Sequence, residues 1–300
     1  MKQVCILMST YNGEYFLQQQ LDSLDEQEGE FQLYYYIRDD GSTDGTANII
    51  RNWIGTHQGE VIFGDNIGVK ESFLWLMRTA PLSDFYAFCD QDDLWNKEKL
   101  KRQIAQFHDK NVPQLCYCAQ MYIDAQGNPT EEGVRCVENP HMTFENSFVY
   151  NWAPGCAQVW NYKLMEKIQR CDIRRCVMHD MVPIHLAGIY GEIVFEPTPL
   201  LYYRQHEQNV TTARASFTKR MKLHWYVWAH ANDCPLQEQA QELLDKATDA
   251  PRDKRNFLLC LANYKKNFRN WTWLWSGNVQ TYGGWRRNFS FVVRVFLHLA

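Results

Sequence analysis

Asp90, Asp92 and Asp93 fall within four consecutive positions at the end of the apolar run Phe85-Tyr-Ala-Phe-Cys89. Like charges this close repel unless a cation, basic side chains or a raised pKa relieves them. Carboxylates one residue apart at a strand end are hard oxygen ligands, suited to Mg2+ or Mn2+ held together with substrate phosphates. The residues alone leave a second reading open, a solvated acidic turn capping a helix that begins near Asn96. Downstream, Asp180 follows His179 and precedes the apolar Met181-Val-Pro-Ile184, while His206 closes Tyr203-Arg-Gln-His206. An aspartate at a helix start usually caps it, and the helix dipole lowers its pKa, whereas apolar neighbours raise it by desolvation. Cys156 lacks a nearby cation or base that would make it a nucleophile.

The elements that must position these groups alternate as βαβ units around a mainly parallel sheet. The pattern predicts strands at Val4–Met8, Tyr34–Ile37, Val61–Phe63 and Phe85–Cys89. Between them it predicts helices over Glu14–Leu24, from Ser42-Thr-Asp44 through Ile54, and across Phe73, Leu74 and Met77; another runs from Lys97 to Lys110. Each strand ends in a polar cluster: Thr10-Tyr-Asn12, Asp39-Asp40, Asp65-Asn66 and Asp90 to Asp93. Ligands of open α/β sheets bind beyond the carboxyl ends of the strands, so these four clusters are expected to share one cleft. Farther on, Leu115–Ile123 and the turn Asp124-Ala-Gln-Gly-Asn128 predict a β excursion. A turn through Trp152-Ala-Pro-Gly155, a helix at Lys163–Arg170, one opened by His179-Asp180, and strands Ile193–Phe195 and Leu200–Tyr203 follow. Helical segments rich in Trp and basic residues begin near Phe217, broken at Asp249-Ala-Pro251.

At 300 residues and 45% hydrophobic content, the chain can bury one large core plus a substantial extension. The expected division is residues 1–215 and a helical extension over 216–300. A net charge of -4 gives no basic field for wrapping nucleic acid. Ten cysteines without a CxxC pair suggest buried thiols in a reducing cytosol. No apolar run reaches the roughly 18 residues of a membrane span, and the N-terminus carries no signal-peptide pattern. The basic, apolar segment Trp285–Leu299 has two readings: an interfacial helix on an anionic membrane, or a helix packed on the domain or across an oligomer interface.

The ordered set Met8-Ser-Thr-Tyr-Asn-Gly13, Arg38-Asp-Asp-Gly-Ser-Thr-Asp-Gly45, Asn66-Ile-Gly-Val69 and Cys89-Asp-Gln-Asp-Asp93 resembles nucleotide-sugar-dependent glycosyltransferases of family 2, which have a GT-A fold. With His179-Asp180 and Tyr203-Arg-Gln-His-Glu-Gln-Asn209, the likeness is strongest to bacterial rhamnosyltransferases of polysaccharide assembly and covers about residues 3 to 212. The resemblance implies an α/β, Rossmann-like GT-A sheet with flanking helices and inverting transfer of a sugar from a dTDP-, UDP- or GDP-sugar to a glycan or lipid-linked glycan. It assigns Thr10, Tyr11, Glu14, Asp39 and Asp40 to the nucleoside, with Asn66 and Lys70 approaching from the third strand. Asp92, Asp90 and His206 become ligands of Mn2+ or Mg2+, Asp90 also contacting ribose or donor sugar, and Arg204 a phosphate clamp. Asp180 becomes the catalytic base, while Trp152, Gly155 and Cys156 line the acceptor pocket. Asp93 is left to cap the following helix. Two other classes stay open: a sugar-nucleotide nucleotidyltransferase, which would be expected to show a Gly-rich basic loop that Met8–Gly13 lacks, and a non-catalytic nucleotide-sugar or glycan binder. The expected location is cytoplasmic, with peripheral contact at the inner membrane face and homo-oligomers as open alternatives.

Overall fold

Val4 to Met8 are fully buried, and no polar position interrupts them. Such a run marks a strand covered on both faces, and each large apolar side chain so buried stabilises the fold by roughly 1.5–3 kcal/mol. In the computed structural model, which describes residues 1–135, 143–148, 151–206 and 236–275, this run forms β1 (Lys2–Thr10) at the centre of the sheet. β2 (Phe31–Asp39) and β4 (Phe85–Cys89) flank it in parallel, and β3 (Gly59–Phe63) extends the same edge. With β5 (Leu94–Trp95), β6 (Gln114–Ile123), β8 (Gln158–Asn161) and β9 (Glu192–Arg204), the strand order is β3-β2-β1-β4-β8-β6-β9-β5, and β7 (Pro129–Arg135) pairs with β6. β8 runs antiparallel between β4 and β6, so β6 and its parallel partner β9 point the same way as β4. The carboxyl ends of β1, β2, β4, β6 and β9 and the entry to β8 therefore meet at one side.

The connecting helices carry apolar stripes toward the sheet. In α1 (Leu17–Asp25) Leu17, Leu21 and Leu24 are buried, and in α2 (Thr46–Ile54) Ile50 and Trp53 are. α3 (Val69–Thr79) buries Phe73, Leu74, Leu76 and Met77, and α4 (Lys99–Ala105) follows the two-residue strand β5 (Leu94–Trp95). α5 (Phe144–Ser147), α6 (Tyr162–Cys171) and α7 (Met181–Tyr190) complete the layer. Among the described residues three C-terminal helices follow: α8 (Leu236–Lys246), α9 (Arg252–Asn263) and α10 (Phe268–Trp275). α8 and α9 join the same apolar core through Leu243, Leu244, Phe257 and Leu258. Phe257 sits edge-on to Phe144 at 5.6 Å, and Asp249 bonds Lys167 and Arg170 of α6. Pro251 lies between α8 and α9 as the break at Asp249-Ala-Pro251 implied. The expected boundary at 215/216 and the segment Trp285–Leu299 lie outside the described residues. Among the described residues no helix is long and apolar enough to cross a membrane.

Three elements differ from the sequence expectation. Ile193–Phe195 and Leu200–Tyr203 form one strand, β9, because the pairing with β6 shifts register around Cys118 and Ala119. The shift passes Pro197 and Pro199, which have no N–H to offer a ladder. α2 begins at Thr46 rather than at Ser42: Asp39 and Asp44 accept hydrogen bonds from Ser42 N and Thr46 N and hold 42–45 as a loop. α4 is shorter than Lys97–Lys110, and its N-cap is Glu98, so Asp93 does not cap it.

Candidate active site

The sheet brings three groups of functional side chains to the carboxyl ends of its strands. At the first, Thr10 stands opposite Asp39 in the β1–β2 register and donates its hydroxyl to Asp39 Oδ2 at 3.0 Å. Asp39 also accepts Ser42 N at 3.0 Å and Ser42 Oγ at 2.6 Å. A carboxylate offers about four lone-pair directions, so Asp39 keeps one acceptor site beyond these three bonds. Tyr11 is 47% exposed beside it, which leaves its ring free for a planar ligand. Glu14 is exposed and accepts Gly45 N at 2.6 Å. Asn66 is exposed and abuts this corner, since a Cβ on Gly41 would stand 3.0 Å from Asn66 N. Lys70, on the first turn of α3, lies 3.3 Å from Glu71.

Asp40 departs from the role expected of it. It is buried, paired with Arg38, and accepts Ile67 N at 2.9 Å and Gly68 N at 2.8 Å. Gly68 has φ +85°, a left-handed conformation that glycine adopts without a Cβ penalty. Asp40 thus shapes the β3–α3 loop with its charge paired to Arg38, whereas Asp39, buried to the same 2%, has no ion pair among the described residues.

The second group surrounds the Asp-x-Asp sequence. Asp92 Oδ2 and His206 Nε2, 114 residues apart in the chain, meet at 2.8 Å, and the His206 ring lies 4.6 Å from that of Phe16. Ligand atoms of Asp90, Asp93 and Cys156 lie within 4.8 Å of one another. Burial pushes the Asp90 carboxyl up to about 7, and Asp92 beside it adds to the rise. Asp93 is likewise pushed well up, by burial first and by Asp92 and Asp90 next. Crowded carboxylates whose ionisation is opposed by one another form a donor set that a divalent cation would relieve. Carboxylate oxygens from Asp92 and Asp90 and an imidazole nitrogen from His206 are donor types that suit Mn2+ or Mg2+; in the structure Asp92 meets His206, whereas Asp90 converges with Asp93 and Cys156. Asp93 takes another job: its Oδ1 accepts Arg204 N at 3.0 Å, pinning the end of β9 that carries His206.

Arg204 also departs from expectation. It is fully buried, donating to Asp92 O and Ala125 O at 2.8 Å and to Gln19 Oε1 at 2.8 Å, with its guanidinium 4.8 Å from the Phe16 ring. With its fork committed to carbonyl oxygens it fixes the Asp92 loop and does not clamp phosphate.

Asp180 anchors the third group. It occupies the N-cap position of α7 yet makes no capping bond. Its Oδ2 instead accepts Asn151 Nδ2 at 2.7 Å and Gly155 N at 3.1 Å, while the buried Oδ1 has no hydrogen-bond partner among the described residues. Burial raises the carboxyl to about 6, against the lowering effect of Asn151 and Gly155. Desolvation has therefore won over the helix dipole. Asp180 and Asp90 are close enough to oppose each other's charge. His179 beside it is buried against Phe73 at 4.1 Å, and burial pushes its imidazole down to about 3, so it stays neutral.

The three residues expected to line an acceptor pocket lie underneath this group. Gly155 supplies the N–H to Asp180, and a Cβ there would stand 3.1 Å from His179 Nε2 and 3.2 Å from Asp180 Cβ. Cys156 is buried behind Asp90 and Asp93. Trp152 is 1% exposed and packs 5.3 Å from Tyr117, so it has no open face on which a sugar could stack. These residues support the floor of the site. Asn151 was not legible as a site residue: a single asparagine before Trp152 carries no motif, and its role appears only when the chain returns at Asp180. A cavity of about 940 Å³ lined by Lys2, Phe85, Phe107 and Lys163 lies at the opposite ends of β1 and β4.

Residues 5–166 match the family described as Glycosyl transferase family 2. A dTDP-rhamnosyl transferase, RfbG of Shigella flexneri, is 26% identical over 233 residues, covering 72% of this chain and 77% of its own. A putative teichuronic acid biosynthesis glycosyltransferase of Bacillus subtilis, TuaG, is 24% identical over 159 residues, 52% of this chain and 60% of its own. Among solved structures, S. aureus TarS 1-349 in complex with UDP-GlcNAc superposes with a TM-score of 0.60 at 17% identity, covering 100% of this chain and 82% of that one. The mannosyltransferase PcManGT of Pyrobaculum calidifontis, in complex with GDP-Man and Mn2+, gives 0.52 at 17% identity, covering 99% and 80%. These structures share the GT-A fold that the resemblance implied.

Proposed function

Because the chain belongs to glycosyl transferase family 2, and so acts on nucleotide sugars, we propose that it moves a hexose, with dTDP-rhamnose as first candidate donor, to a hydroxyl of a growing bacterial surface glycan, inverting the anomeric centre. The rhamnosyl relative supports the donor and the teichuronic acid relative the glycan. The observation that carries the reading is the Asp180 carboxylate: a buried Oδ1 without a partner, raised toward neutrality, at the floor that also holds Asp90.

Tyr11 stacks on the base and Asp39 accepts its imide N–H, a bond whose loss would cost about 1–3 kcal/mol. Glu14, Asn66 and Lys70 form the rim of the same corner. Asp90, Asp92 and His206 would hold the divalent cation, which when bound neutralises charge on the departing diphosphate. Asp180 Oδ1 takes the proton of the attacking hydroxyl on the face opposite the diphosphate, while Asn151 and Gly155 fix Oδ2. A lipid-linked acceptor at the inner membrane face, met through residues 285–299, extends the proposal. A non-catalytic nucleotide-sugar binder would have no use for a buried base of this kind. The test is sugar transfer with Mn2+ or Mg2+: Asp92→Asn abolishes it in a folded protein and EDTA abolishes it in the wild type. Normal transfer in EDTA would remove the metal from the account.

A further inference from the structure

We propose that Gln91, the residue between the two carboxylates, is a positioning residue that clips the cation loop to the nucleoside loop, so that cation and nucleotide strengthen each other's binding through the protein. The proposal rests on the nucleotide-sugar reading above and adds a coupling to it. The Gln91 amide meets the Tyr11 peptide in both directions: Tyr11 N donates to Oε1 at 2.8 Å, and Nε2 donates to Tyr11 O at 3.0 Å. This is the two-bond exchange of an antiparallel strand pair, made here by one side chain. Asn12, at φ +47°, turns the backbone so that Gly13 lies over the amide. A Cβ on Gly13 would stand 2.3 Å from Gln91 Oε1, so only glycine fits there while the clip is closed.

Beyond Tyr11 the same loop is laced to the Asp39 corner. Asn12 N donates to Ser42 Oγ at 2.9 Å, Thr43 N to Asn12 Oδ1 at 2.8 Å, and Gly13 N to Thr46 Oγ1 at 2.8 Å. Ser42 in turn bonds Asp39. An unbroken chain of hydrogen bonds and peptide links thus runs from the Asp90–Asp92 segment through Gln91, Tyr11, Asn12 and Ser42 to Asp39. Ordering either end holds Tyr11 in place for the other, and such coupling is reciprocal by necessity. Asp90 and Asp92 touch the cation and Tyr11 the nucleotide; Gln91 acts through them.

The test uses the full chain and two readouts. Hydrogen exchange of the Tyr11 amide, with Mg2+ and no nucleotide, slows in the wild type on adding the cation; in Gln91→Ala it is about tenfold faster and no longer responds to Mg2+. In transfer assays Gln91→Ala raises the donor KM about tenfold, as loss of two amide hydrogen bonds implies, and leaves the acceptor KM within about twofold. Gly13→Ala, which forces the amide out, reproduces these effects, and the double variant is no worse than either single one. Tyr11 exchange that keeps its Mg2+ response in Gln91→Ala, or additive effects of the two substitutions, would overturn the clip. A wild type that binds none of UDP, dTDP and GDP would sink the nucleotide-sugar reading instead, and the exchange experiment would still decide whether Gln91 ties the two loops together.

Discussion

Replacing Asp180 by Asn moves activity and stability in opposite directions. Burial raises the folded-state carboxyl from its ordinary 3.8 to about 6. The folded protein therefore binds that proton more tightly than the unfolded chain does. The resulting penalty is absent below about pH 3.8, grows between there and pH 6, and is constant above, at about 3 kcal/mol for two pH units at roughly 1.4 kcal/mol each. Asn has the same shape, and its carbonyl oxygen can keep the bonds from Asn151 and Gly155. Its new N–H donors lie where Oδ1 has no partner, which offsets part of the gain. The net expectation is a variant more stable at pH 7 by on the order of 1–2 kcal/mol and, near pH 3.5 where only the offset remains, less stable than wild type by about the same amount. Turnover falls by about 10²- to 10⁴-fold, the usual worth of a general base. Urea denaturation at both pH values, alongside kcat and donor binding by calorimetry, measures all three quantities. Turnover within tenfold of wild type, or a loss of stability at pH 7, would refute the reasoning.

Two further outcomes follow from the same geometry. In the wild type, kcat/KM rises with pH through about 6 as Asp180 ionises, and the Asn variant loses this limb; a profile flat from pH 5 to 8 would contradict the assignment. Arg204→Met leaves the carbonyls of Asp92 and Ala125 and the Gln19 amide oxygen without their donor, lowering stability by roughly 3 kcal/mol in denaturant melts; a loss of diphosphate affinity at unchanged stability would instead restore Arg204 as a clamp.

The sequence was most informative where chemistry sits at the end of an apolar run. Thr10, Asp39 and Asp90 each follow a strand that its own residues announce, and a parallel sheet must bring such ends together. It was least informative where a residue's direction depends on distant chain. Arg204 and Trp152 have the types of ligand-binding residues, but Arg204 turns inward to carbonyls 79 and 112 positions earlier and to Gln19, 185 earlier. Trp152 packs on Tyr117, from a strand that β8 joins in the antiparallel sense, which no local pattern specifies. Asp40 looked equivalent to Asp39 because the two are adjacent, yet a buried Arg38 and two loop N–H groups claim one and Thr10 and Ser42 the other. Gln91 was not legible as a site residue, since its partner is the Tyr11 backbone, which carries no sequence signal.

The central claim is a nucleotide-diphosphate sugar held by the Asp39 corner and, through a divalent cation, by Asp90, Asp92 and His206. Its most direct test is a thermal-shift panel of dTDP-, UDP- and GDP-sugars with and without Mn2+, because a ligand that binds only the folded state raises stability by mass action. The account predicts a rise in Tm with one nucleotide class, dependent on the cation and lost in Asp92→Asn. No shift with any of the three, in the presence of Mn2+, would contradict it.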